Sequence, residues 1–196
     1  MFIEPHAHKQ RSGWIEVISG CMFSGKTEEL IRRLKREQIA RRQVMVFKKS
    51  YDNRYSEKEV ISHNSSAIES INIDFIQEIY HWIEDCPVIG IDEAQFFDDE
   101  IVDVVQDLAL KGRRVIITGL DMDYMGKPFG SVPQLMAVAE YVTKLHAICK
   151  HCGSLATHSY RLIPSKIKIL LGEKDQYEAR CRLCFDMGNI LDFEPK

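Results

Sequence analysis

Three groups of residues have the types and spacing to do chemistry. Gly20-Cys-Met-Phe-Ser-Gly25-Lys26-Thr27 fits G-x-x-x-x-G-K-[ST], between a predicted strand and a predicted helix. Its glycines let backbone N–H groups curl round a phosphate without Cβ clashes, and the following helix adds its positive N-terminal end. Gly20, Cys21, Met22, Phe23, Ser24 and Gly25 are therefore candidates to cradle the phosphates of ATP. Lys26 would reach the β- and γ-phosphates, and the Thr27 hydroxyl would ligate Mg²⁺. The second group closes Val88-Ile-Gly-Ile-Asp92-Glu93-Ala-Gln95-Phe96-Phe97, an apolar strand ending in two carboxylates. Ligands of parallel sheets sit beyond the C-terminal strand ends, so Asp92 is placed to hold Mg²⁺ through water, and Glu93 is free to act on a nucleophile. Gln95 is counted with the ATP-binding residues. The third group is Cys149-Lys-His-Cys152 with Cys181-Arg-Leu-Cys184. Two C-x-x-C knuckles make a closed tetrahedral thiolate site, the structural kind of zinc site. His151 could substitute as a ligand, but four thiolates leave it no vacancy.

These groups need elements to hold them. Trp14 to Ser19 reads as a strand ending at Gly20, and a helix follows from Thr27 with Leu30, Ile31 and Leu34 on one side. Arg32, Arg33, Lys35 and Arg36 fall mostly on the other side and read as a solvated face. Strands are expected at Val44–Phe47, within Ala67–Ile73, and at Val88–Asp92, Val115–Thr118 and Val142–Ile148. Helices are expected at Phe75–Ile83, Asp99–Leu110 and Pro133–Glu140. This alternation indicates an α/β fold of the phosphate-loop NTPase type, a parallel sheet flanked by helices. The pattern changes at Cys149, which divides the chain into residues 1–148, with 1–13 as a flexible arm, and a small zinc-binding unit at 149–196. The latter has too little apolar material to hold together without a staple.

Composition narrows the function classes. Net charge is only −3 and no concentrated basic face is evident, which argues against a nucleic-acid partner. No apolar run is long enough for a membrane span, and MFIEPHAHKQRSG is too polar for a secretory signal, so a cytoplasmic location is expected. Paired C-x-x-C units in that setting point to metal rather than disulfides. Cys21, inside the phosphate loop, has two readings: a thiol acidified by oriented N–H groups and Lys26, or an inert buried one.

Together these elements resemble the thymidine kinases that carry a zinc-bound lasso domain. The resemblance runs from about Gly13 to Cys184 through MFSGKT, DNRY, DEAQFF, KPFG and Tyr177-x-x-x-Cys181-Arg-x-x-Cys184. It implies transfer of the ATP γ-phosphate to the 5′-hydroxyl of thymidine, and of deoxyuridine, for pyrimidine salvage. Glu93 would then be the base accepting the hydroxyl proton. Asp52 would lie near the magnesium, and Arg54 would stabilise charge on the transferring phosphoryl group. Met22, Phe96, Leu120, Tyr124 and Phe129 would wall the nucleoside pocket, although on sequence alone Phe96, Leu120 and Phe129 read better as core. Lys168, Ile169, Leu170, Leu171 and Gly172, with Tyr177, match the lasso that closes over thymidine, and Ser159 a position near its 5-methyl group. The resemblance also implies a homotetramer inhibited by thymidine triphosphate. Cys21 departs from the family, where proline, serine or alanine is usual, and the lasso is shorter than in many bacterial relatives. Asp121 and Asp123 look like metal ligands but read as loop residues. Two other readings are another phosphate-loop nucleoside kinase, or a phosphate-loop ATPase with no nucleoside acceptor, and a zinc-ribbon nucleic-acid module using ATP only as a switch.

Overall fold

The computed structural model describes residues 13–50, 59–61, 67–163 and 176–193. Along the chain these form β1 (Trp14–Gly20), α1 (Lys26–Ile39), β2 (Val44–Lys49), β3 (Glu59–Ile61), β4 (Ala67–Glu69), β5 (Ile71–Ile73), β6 (Val88–Asp92), α2 (Glu100–Leu110), β7 (Arg114–Gly119) and α3 (Val132–Val138). After these come β8 (Tyr141–Leu145), β9 (Ala147–Ile148), β10 (Leu155–Ala156), β11 (His158–Arg161), β12 (Tyr177–Arg180) and α4 (Arg182–Phe193). Six strands form one sheet in the order β5-β2-β6-β7-β1-β8, with every pairing parallel. Such a sheet is covered on both faces, and side chains alternate between them. Ile18 of β1, Val46, Val88 and Ile116 face Leu30, Ile31 and Leu34 of α1. Ile15, Val17, Phe47, Ile89, Ile91, Val115 and Ile117 face the opposite layer, built from α2, α3 and the turn before β6. The sheet thereby brings the C-terminal ends of β1, β6 and β7 side by side.

Several expected elements differ. The helix expected at Phe75–Ile83 is a 3₁₀ turn, Ile76–His81. Its two buried residues, Ile76 and Ile79, are three apart, which matches the three-residue period of that helix. Glu78 accepts the N–H groups of Asp74 and Phe75 at 3.1 and 2.8 Å and fixes its start. The strand expected over Val142–Ile148 is divided. Tyr141–Leu145 extends the main sheet beside β1, whereas Ala147–Ile148 turns into an antiparallel pair with β10. Strand propensity is continuous through this segment, and only the partner changes. The C-terminal helix α4 has no counterpart in the sequence reading, because Gly188 at its middle is a poor helix former.

The solvated basic face of α1 also requires correction, since Arg33 is fully buried. It reaches Glu16 of β1 at 2.7 Å, Glu29 at 2.8 Å and the Thr143 hydroxyl of β8 at 3.0 Å. Glu16 is equally buried and also accepts from Arg114 of β7 at 2.6 Å and from the Trp14 indole at 2.7 Å. Arg114 continues to Glu37 of α1 at 2.5 Å. One buried ion network therefore links three neighbouring strands to the helix that follows the phosphate loop. Removing one partner strands the others without water, a loss of about 3–5 kcal/mol for a buried pair. Arg33→Met should lower unfolding free energy by about 3 kcal/mol, whereas Arg32→Met, at an exposed pair with Glu29, should change it by less than about 1 kcal/mol. Urea denaturation of both variants checks this, and equal effects would contradict it.

Candidate active site and metal centre

The phosphate loop is shaped by two glycines. At Gly20 φ is +147°, and a Cβ there would lie 2.4 Å from the Leu145 carbonyl oxygen. Gly25 is left-handed at φ +85° and hands the chain into α1, whose first bond joins Glu29 N–H to the Gly25 carbonyl at 3.0 Å. Phe23 is left-handed as well, at φ +64°, without a glycine's freedom. Lys26 donates from Nζ to the Cys21 carbonyl at 2.9 Å, and so lies against its own loop. Burial pulls its ammonium pKa down, while Glu93, Cys21 and Asp92 pull the other way.

Asp92 ends β6, where β2, in register, places Lys48 beside it. Its carboxylate is buried, accepts the Thr118 hydroxyl from the end of β7, and takes the Glu93 N–H at 3.1 Å. Burial raises its pKa, and Thr118 and Lys26 oppose the rise. Glu93 has the unusual backbone angles φ 53°, ψ 48°, which turn the chain sharply out of β6. The residue is exposed to solvent rather than part of the core. Reduced hydration there, with the like charge of Asp92 second, pushes its carboxyl up to about 7 against Lys26 and Lys48. Lys26, Asp92 and Glu93 thus interact electrostatically: one cation at the phosphate loop faces one buried and one accessible carboxyl.

The expected nucleoside-wall residues form three linked sets. Phe96 and Phe129 meet edge to face at 5.9 Å. Leu120 joins them through Gln95, whose buried side-chain oxygen accepts the Leu120 N–H at 3.0 Å. Gln95, expected among the ATP-binding residues, spends its oxygen on that backbone. Tyr124 lies under the Arg161 guanidinium at 3.5 Å, and Arg161 donates to the Tyr177 hydroxyl at 2.8 and 3.1 Å. Met22 donates its N–H to Ser159 Oγ at 3.0 Å. Thr27 lies in the first turn of α1. Asp52, Arg54, Lys168, Ile169, Leu170, Leu171 and Gly172 lie outside the described residues.

An acidified Cys21 thiol does not hold. Cys21 is buried, its thiol faces the Ala156 carbonyl at 3.4 Å, and burial outweighs the nearby Lys26 to raise its pKa. Asp123 closes a turn, accepting the N–H groups of Met125 and Lys127 at 2.9 and 3.1 Å, and Asp121 pairs with Lys144 at 2.5 Å. Three residues in or beside the site were not singled out from sequence. Thr118 and Lys48 end strands next to Asp92, so the strand-end argument could have found them. Arg161 carries no such signal, because Tyr124 and Tyr177 meet it only in the fold.

The four thiols converge. Cys149, Cys152, Cys181 and Cys184 place their Sγ atoms within 4.8 Å of one another, with Cys152 and Cys181 3.6 Å apart. A tetrahedral zinc about 2.3 Å from each sulfur requires separations of roughly 3.8 Å, so the donor set fits it. The Cys184 N–H points at Cys181 Sγ from 3.5 Å, as suits a thiolate at a helix start. His151 instead lies 3.2 Å from Glu178. This is the one cluster of its kind among the described residues, and no helix among them is long and apolar enough to cross a membrane.

Comparison with known proteins agrees with this geometry. The family model for thymidine kinase matches residues 13–185. The thymidine kinase of Rhodothermus sp. (strain ITI 518) is 57% identical over 178 residues, covering 91% of this chain and 84% of that one. The thymidine kinase of Bacteroides thetaiotaomicron is 53% identical over 186 residues, 94% of each chain. That of Bacteroides fragilis (strain YCH46) is 52% identical over 195 residues, 99% of this chain and 98% of its own. On a phosphate loop facing a carboxylate strand end, a four-thiol centre and a match along nearly the whole chain, the protein belongs to the thymidine kinase family.

Proposed function

We propose that the protein transfers the γ-phosphate of ATP to the 5′-hydroxyl of thymidine, giving thymidine monophosphate for nucleoside salvage. The observation that carries this reading is Glu93: an accessible carboxyl beside the phosphate loop, pushed to about 7, where a base can take a hydroxyl proton near neutrality. In this scheme the loop from Gly20 to Thr27 holds the nucleotide and Lys26 leaves the Cys21 carbonyl for the β- and γ-phosphates. Glu93 accepts the 5′-hydroxyl proton as the oxygen attacks, and Arg54 offsets charge on the transferring group. Thr27, Asp92 and Asp52 supply hard oxygen donors that suit Mg²⁺, which would neutralise phosphate charge when bound. Glu93→Gln should lower kcat by about 10²–10⁴-fold while keeping ATP binding, because only the proton acceptor is lost. Steady-state kinetics with ATP titration calorimetry checks this, and near-normal turnover would remove Glu93 from the mechanism.

The acceptor reading rests on the family resemblance, by which Phe96, Leu120, Tyr124 and Phe129 would wall the nucleoside pocket and Lys168 to Gly172 with Tyr177 would close over a pyrimidine. A methyl group in an apolar pocket is worth only about 10–200-fold, so deoxyuridine should be used within that factor of thymidine in kcat/KM. Purine deoxynucleosides should be rejected far more strongly, by steric overlap. A phosphorylation assay over the four deoxynucleosides and deoxyuridine tests the whole reading, and preference for a purine would overturn it.

The four cysteines are read as a structural zinc site that staples residues 149–196. Metal analysis of fresh protein should find about one zinc per chain, and Cys149→Ser or Cys184→Ser should unfold this lobe, with loss of its protease resistance. Active protein without zinc would contradict it. A homotetramer, inhibition by thymidine triphosphate and a cytoplasmic location complete the proposal.

A further inference from the structure

The C-terminal cysteine lobe does more than carry residues toward a nucleoside. The first half of the phosphate loop rests on it. Met22 gives its N–H to Ser159 Oγ of β11 at 3.0 Å, and Ser159 is buried. The neighbouring Cys21 thiol faces the Ala156 carbonyl of β10 at 3.4 Å. Cys21 also packs in one buried cluster with Ala147, Ala156, Ala179 and the metal-site residue Cys149, and Phe23, Cys181 and Cys184 lie against that cluster. Two consecutive loop residues, Cys21 and Met22, are therefore held by elements more than a hundred positions away in the chain, and Phe23 packs beside them. Phe23 keeps a left-handed backbone that a bulky residue seldom adopts, and such a conformation persists where its surroundings over-determine it.

We infer that the cysteine lobe templates the phosphate loop, with Ser159 as a positioning residue for ATP that acts through the Met22 N–H. The inference rests on the loop's binding ATP, as proposed above, and deepens that reading. It assigns Ser159 to the nucleotide side of the site, although its sequence position points to the 5-methyl group of the nucleoside. Loss of the hydroxyl would leave the Met22 N–H without its partner and free the loop to leave the phosphate-binding shape, with no residue removed from the cradle itself. The four thiols contribute in the same way, since the cluster that rests on Cys21 includes Cys149. When zinc holds them, it braces the loop from behind.

The test measures ATP binding directly, by titration calorimetry without nucleoside, on zinc-loaded wild type, Ser159→Ala and Ser159→Thr. Ser159→Ala should bind ATP about tenfold more weakly, the size expected for one lost hydroxyl–amide bond, with the KM for ATP rising and that for thymidine little changed. Ser159→Thr restores the acceptor and should restore ATP binding. Zinc content and thermal midpoint are read alongside, and Ser159→Cys, with a weaker sulfur acceptor at similar volume, replaces alanine if that variant does not fold. Removing zinc from wild type with a chelator should weaken ATP binding as well. Unchanged ATP affinity in Ser159→Ala, with an altered thymidine-to-deoxyuridine ratio, would overturn the inference and return Ser159 to the nucleoside. Failure of wild type to bind ATP at all would instead overturn the underlying reading of the loop.

Discussion

A carboxylate with no access to water is costly in a strand unless it is paired, and Glu16 of β1 lies fully buried. Arg33 from α1 and Arg114 from β7 supply the pairing, and Thr143 of β8 meets the far side of Arg33. The geometry of such a network tolerates little slippage, because each shifted residue would bury a charge alone. It therefore fixes the register of β1 against β7 and the placement of α1 over both. The phosphate loop is the connection between β1 and α1, so its two ends are set by this charge network.

With those ends fixed, chemistry gathers where the strands finish. β6 delivers Asp92 and Glu93, β7 delivers Thr118, and β2 delivers Lys48. Thr118 and the Glu93 N–H share the same carboxylate oxygen of Asp92, which holds that side chain in place and leaves Glu93 beside it to point elsewhere. The two adjacent carboxyls thereby sit in different surroundings. Asp92 is buried and bonded, whereas Glu93 is accessible with its carboxyl pushed up to about 7.

The cysteine lobe reaches the same place from the other end of the chain. Its strands bring Ser159 to Met22 of the phosphate loop, and Arg161 to Tyr177 and Tyr124. A unit of that size has little core of its own, and the four convergent thiols offer the donor set for a metal staple.

The sequence by itself determined the elements that depend on local chemistry. The glycine spacing of the phosphate loop, the apolar run ending at Asp92, and the paired C-x-x-C knuckles each name their residues, because turn shape and ligand spacing are short-range properties. Strand and helix alternation was enough for a parallel α/β sheet. Only the tertiary structure decided which partners these residues meet. Arg33 looked like part of a solvated basic face until β1 offered Glu16, and Cys21 had two readings until burial outweighed Lys26. Arg161 has no sequence signal, since two tyrosines far apart in the chain give it its place. The reason is common to all three: burial and charge pairing depend on distances across the fold, and these are not written in the spacing along the chain.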